Sequence, residues 1–169
     1  SYRNDLSLNN RKSLKTFLEI DQFSTNKIID LKKNLKKLPT NIQQPKGQLA
    51  KQTSTALQII NTDSPPTFIQ MELGGFDTHQ NQITRQNKLL KELSENIYYL
   101  KNGAKKLNKN IEVNIVVTSE FGRRLKENGS NGTDHGSASV AFLVGNAFNE
   151  QFIGEYPDLK NLDNRGDLI

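Results

Sequence analysis

"TFIQMELGGFDTHQNQ", residues 67 to 82, decides how this chain reads. Up to it, apolar residues recur at helical spacing. Within it Ile69, Met71 and Leu73 alternate with Gln70 and Glu72, the period-two pattern of a strand. Two glycines follow, then Asp77 and His79. The 169 residues hold only two histidines. The second, His135, lies in "GTDHG" (132 to 136), again beside an aspartate and between glycines.

Downstream, a long helix over about 80–107 carries Ile83, Leu90, Leu93, Ile97 and Leu100 on one face. "IEVNIVVTS" (111–119) reads as a second strand, its adjacent Val116 and Val117 suiting a sheet covered on both faces. "EFGRR" (120–124) ends it. "LKENGSNGTDHG" (125–136) reads as a glycine-rich loop, and "SASVAFLVGNAF" (137–148) holds a third strand near 139–145. The tail is polar and turn-rich. Strand, helix and strand in this order form a right-handed crossover, so the expected fold is α/β with a mainly parallel sheet. Sites in such sheets lie beyond the carboxyl ends of the strands. Asp77, His79, Glu120 and Arg123 fall just past those ends, and the loop bearing Asp134 and His135 leaves the same edge.

Upstream, residues 5–38 read as two helices. The second spaces Ile28, Leu31, Leu35 and Leu38 three and four apart, with Ser24 or Thr25 as its cap and Pro39 beyond its end. "NIQQPKG" (41–47) is a linker, and a third helix over about 48–60 ends at "NTDSPP". The net charge of +5 is uneven. Residues 1–51 hold eleven Lys and Arg against four Asp and Glu, a balance of +7, and the rest of the chain carries −2. The chain thus divides into a basic helical segment and linker (1–47) and an α/β part (48–169). No nucleic-acid motif accompanies the lysines, and no aromatic residues interleave them, so a solvated helix face accounts for them and no nucleic-acid partner is expected. No apolar run approaches the length of a transmembrane segment, and no signal peptide is visible. The absence of cysteine excludes disulfides and thiolate ligands. Hydrophobic residues make up 34%, lean for a globular chain, which predicts packing against something further.

Carboxylates with neutral imidazoles are ligands for divalent cations, zinc or manganese foremost. Asp77 and His79 lie two apart, so one extended stretch points both the same way. Asp134 and His135 are adjacent and would diverge in a strand, so they are expected in a loop that the glycines at 129, 132 and 136 permit. Glu120 adds an oxygen. These five groups suffice for one ion or for two about 3.5–4 Å apart. Arg123 and Arg124 are candidates for gripping an anionic substrate. Plainer roles exist for each: Asp77 as a helix cap, the 128–133 stretch as a surface loop, Glu120 and the arginines as solvated charges.

Three ordered motifs, "LGGFDTHQNQ" (73–82), "VVTSEFGRRLKENGSNGTDHGSASVAFLVGNAF" (116–148) and "GEYPDLKNLDNRGDL" (154–168), resemble the bacterial domain of unknown function 1501 family over roughly residues 48–168. That family resembles the alkaline phosphatase and sulfatase superfamily. The resemblance implies a doubly wound, mainly parallel α/β sheet, a metal-dependent hydrolase of small phosphate or sulfate esters, and an exported or periplasmic location. It also implies that Asp77 and His79 share a metal, at closer spacing than the superfamily uses. Glu120 would replace an aspartate of the Thr-x-Asp-His-Gly motif. Phe121 stands where that motif has histidine, and Asp134 and His135 would supply the missing imidazole. The superfamily's nucleophile ends an early strand, and none is seen in residues 1–47. The chain is therefore expected to be a C-terminal part, inactive alone, whose partner is the N-terminal half of the same protein. The alternative is a non-catalytic exported binding or assembly protein keeping the fold.

Overall fold

The computed structural model describes residues 2–107, 110–149 and 152–168, with side chains from residue 11 onward. Helix α1 spans Tyr2–Asn34. Two helices were expected here. One forms because the stretch contains neither glycine nor proline, so nothing interrupts the hydrogen-bond ladder at Ser24 and Thr25. Its apolar residues from Leu14 to Phe23 are exposed, as is Ile28. Leu31, Leu35 and Leu38 are half-buried, and Lys32, Lys33, Lys36 and Lys37 are exposed.

The core lies between α2 (Ala50–Ile60) and α3 (Gln82–Lys106). Ala56, Leu57 and Ile60 of α2 meet Tyr99, Leu100 and Ala104 of α3, and Leu38, Ile69, Met71, Val113 and Ile115 close around them. One polar pair sits inside: Thr53 Oγ1 donates to Asn96 Oδ1 at 2.7 Å, and Asn96 Nδ2 donates to the Glu92 carbonyl at 2.8 Å. No side chain within α2 caps its start. Glu92 of α3 does so from across the interface, its Oε1 accepting the Leu49 N–H at 2.8 Å. A carboxylate there satisfies an orphan donor and faces the positive end of the helix dipole.

The sheet departs from expectation. Strand β1 (Ile115–Val117) pairs antiparallel with β4 (Phe142–Val144). Between them β2 (Gly122–Glu127) and β3 (Thr133–Gly136) form a second antiparallel pair. The architecture is mixed helix and strand, without a parallel doubly wound sheet among the described residues. The cause is the chain between β1 and β4. It turns back on itself as the β2–β3 hairpin and delivers β4 beside β1 in reverse. The "LKENGSNGTDHG" stretch is correspondingly a hairpin rather than a loop.

Residues 67–73 keep the expected alternation, with Ile69, Met71 and Leu73 half-buried and Gln70 and Glu72 exposed, but join no strand ladder. The Gln52 side chain takes the neighbouring strand's role. Its Nε2 donates to the Glu72 carbonyl at 2.7 Å, and its Oε1 accepts the Glu72 N–H at 3.1 Å. No helix among the described residues is long and apolar enough to cross a membrane.

Leu57 is fully buried at the α2–α3 contact. Leu57→Ala is expected to cost about 2–5 kcal/mol, read as a lowered urea or thermal unfolding midpoint. An unchanged midpoint would remove this contact from the core.

Candidate metal centre

The extended run from residue 67 ends in a tight turn. The Thr78 N–H donates to the Phe76 carbonyl at 2.8 Å, a γ-turn with Asp77 at its apex. Thr78 is buried at 1% exposure, so Asp77 and His79 project away from it on the other side. That matches their two-residue spacing.

The hairpin docks against this turn and the start of α3. Asn81 has a left-handed backbone, φ 47°, and offers no side-chain cap to α3. The helix start is satisfied by the hairpin instead. The Asn81 N–H donates to the Ser130 carbonyl at 3.2 Å and the Gln82 N–H to the Asn131 carbonyl at 2.9 Å. Asn128 organises the hairpin turn. Its Oδ1 accepts the Ser130 and Gly132 N–H groups, and its Nδ2 donates to the His79 carbonyl at 3.1 Å. Thr133 Oγ1 donates to Gln82 Oε1 at 2.8 Å.

The glycines beside His135 therefore serve close approach rather than a wandering loop. A Cβ at Gly132 would stand 2.5 Å from the His79 carbonyl carbon, and one at Gly136 2.6 Å from that of Arg123. Gly129 borders open space.

Asp134 and His135 lie in β3, not in a loop, and they diverge as neighbours in a strand must. Each reaches a different member of the turn. His135 Nε2 lies 2.7 Å from Asp77 Oδ1. His79 Nε2 lies 2.9 Å from the same oxygen, and its Nδ1 lies 3.2 Å from Asp134 Oδ1. The rings of His79 and His135 stack at 4.9 Å, and Phe121 stacks on His135 at 3.9 Å and 12°. Ligand atoms of Asp77, His79 and His135 all lie within 4.8 Å of one another. Asp134 stands behind His79. Glu120 is exposed in the turn before β2 and outside this group.

Arg123 and Arg124 are engaged within the chain. Arg123 Nη1 donates to the Thr133 carbonyl, and Nη2 donates to the Phe76 carbonyl at 2.6 Å and to Thr78 Oγ1 at 3.3 Å. Its guanidinium lies 5.1 Å from the Phe121 ring centre. Arg124 Nε faces Asp167 Oδ1 at 3.6 Å. The tail carrying Asp167 folds back through a bridge between Leu162 and Leu168 and a bond from Ser137 Oγ to the Leu168 carbonyl.

The sequence matches a family described as a protein of unknown function, DUF1501, over residues 3–164. The chain belongs to the DUF1501 family. The match takes in α1 from its second residue, the first two motifs, and the third as far as Asn164. No curated protein and no solved structure matches the chain.

Sequence reasoning missed Asn128, Thr78 and the stacking role of Phe121, which it noted only as standing where the superfamily motif has histidine. The Asn-Gly dipeptides at 128–129 and 131–132 are hairpin signals and were the available clue to the first. The other two carried none.

Asp77 is held below the usual carboxylate range first by its bond to His135, with smaller help from the charges of His79 and Arg123 against desolvation. Asp134 is held low first by its bond to Asn128 and then by His79. Both shifts are downward, so what these carboxylates contribute to docking is present above the ordinary aspartate pKa and is lost only as pH falls through the lower folded values. Carbon-13 titration of the side-chain carboxyls should give both midpoints below the ordinary aspartate value. Midpoints at or above that value would contradict the contacts. Gly132→Ala should lower stability by about 1–3 kcal/mol in chemical denaturation, whereas Gly129→Ala should change it much less.

Proposed function

We propose that this DUF1501 chain holds one divalent cation, zinc or manganese, at Asp77, His79 and His135, and serves a metal-dependent hydrolase acting on small phosphate or sulfate esters. The observation that carries the proposal is the shared oxygen: two imidazole Nε2 atoms converge on Asp77 Oδ1. A neutral imidazole has one N–H, yet both nitrogens of His79 face carboxylates. A cation among the three donors resolves this, leaving Nδ1–H to donate to Asp134, the carboxylate–histidine–metal arrangement. To reach roughly 3.3 Å, the spacing of tetrahedral ligands about 2.0–2.1 Å from zinc, the 2.7–2.9 Å separations would open and that between the two histidine ligand atoms, within 4.8 Å, would close.

Three protein ligands leave a coordination position open, as catalytic rather than structural zinc sites do. The cation would supply Lewis-acid polarisation of an ester oxygen. The chain's own groups do the rest. Asp134 orients His79, and Phe121 fixes the plane of His135. Glu120, exposed nearby in sequence, is a candidate further oxygen ligand, and Arg124 a candidate contact for the ester's negative charge. The superfamily resemblance to alkaline phosphatases and sulfatases, and with it an exported or periplasmic location, belongs to this proposal. A second reading, a non-catalytic exported binding or assembly protein, is favoured by one observation: Arg123, expected to grip an anionic substrate, has its guanidinium engaged within the chain.

Elemental analysis after supply of zinc or manganese should find about one ion per chain, lost in His79→Ala/His135→Ala and kept in Glu127→Ala. Asp134→Asn should weaken zinc binding about 10–100-fold. Full metal content in the double variant would overturn the site. Bound metal in the full-length gene product without turnover of aryl phosphates or aryl sulfates would favour the second reading.

A further inference from the structure

The two ligand-bearing segments come from distant parts of the chain. Asp77 and His79 sit on the turn after residue 75, and His135 sits on β3. One side chain bonds to both. Arg123 lies on β2 opposite His135 in the strand register, so its backbone already belongs to the His135 side. Its guanidinium crosses to the other side. Nη2 reaches the Phe76 carbonyl and Thr78 Oγ1, the residues on either side of Asp77. Nη1 returns to the Thr133 carbonyl, two residues before His135. Its cationic face lies over Phe121, whose ring stacks on His135.

We propose that Arg123 is the positioning residue of the metal centre: its planar guanidinium sets the separation of Asp77 from His135. This rests on the metal reading above. Three of the five donors a guanidinium carries go to these acceptors, so Arg123 does not grip the substrate, as the sequence alone had suggested. The geometry is specific to arginine. The acceptors lie in two directions from one group, and a planar fork of fixed donors spans them. A lysine ammonium is a point charge with no second arm. The Phe76 carbonyl also accepts the Thr78 N–H. Arg123 therefore holds the γ-turn whose apex is Asp77 as well as its distance from the hairpin. It touches no ligand atom of the centre directly. Its effect on the cation passes through the backbone of the three ligands.

Arg123→Lys is the test, with Lys126→Ala on the same strand as control. Zinc affinity is measured by chelator competition. Amide hydrogen exchange at Thr78 is measured on metal-free protein, and the unfolding midpoint is recorded for each variant. In Arg123→Lys, Thr78 exchange should rise at least about tenfold and zinc affinity fall about 10–100-fold. The unfolding midpoint should stay close to that of the unaltered protein, because the charge is kept and the core lies elsewhere. Lys126→Ala should change neither reading. Unchanged Thr78 exchange overturns the proposal, and so does faster exchange with unchanged zinc affinity. If the unaltered protein binds neither zinc nor manganese, the metal reading fails by itself. The exchange arm then still decides whether Arg123 holds the turn to the hairpin.

Discussion

Segments 76–82 and 128–135 lie about fifty residues apart in the chain and are joined by polar contacts rather than by a shared apolar core. Everything at the candidate centre depends on that junction. The start of α3 uses hairpin carbonyls in place of a cap, Asn128 grips the His79 carbonyl, and Arg123 reaches from one segment to the other. Each bond is individually modest. Together they bring Asp77, His79 and His135 within ligand distance of one another.

The hydrophobic core does a different job. Leu57, Tyr99 and Leu100 lock α2 to α3, and Glu92 ties the start of α2 to the same unit. That fixes α3, whose first turn receives the hairpin. Packing thus sets where the helix start stands, and hydrogen bonding sets what gathers around it. An exposed and largely polar centre is open to a hydrated ion, as the proposed function requires, and its apolar cover is the Phe121 ring stacked on His135.

Much of this was legible in the sequence and some was not, for physical reasons. Alternation in 67–73 reports which side chains face inward, and that part held. It does not report the ladder partner, which here is a glutamine side chain instead of a strand. The crossover expected from 67–73 through α3 to 111–119 failed because 67–73 joins no ladder, and β1 pairs antiparallel with β4 instead. One helix formed where two were expected because residues that can cap do not break a helix unless something else stops it. Asp77 and His79 were readable from their spacing. Asp134 and His135 were read as needing a loop, yet their divergence in β3 is what lets each meet a different partner. The flanking glycines were a real signal, of close backbone approach. Arg123 could not be placed from sequence, since its partners are mostly backbone carbonyls far along the chain.

The central claim is that the two imidazoles and Asp77 hold a cation. The most direct measurement is long-range proton–nitrogen correlation NMR of the histidine side chains during zinc titration. Nε2 of both His79 and His135 should move to the metal-bound position at one equivalent, while Nδ1 of His79 keeps its proton toward Asp134. Ring nitrogens that stay unchanged through several equivalents, or binding through His79 Nδ1 instead, would contradict it.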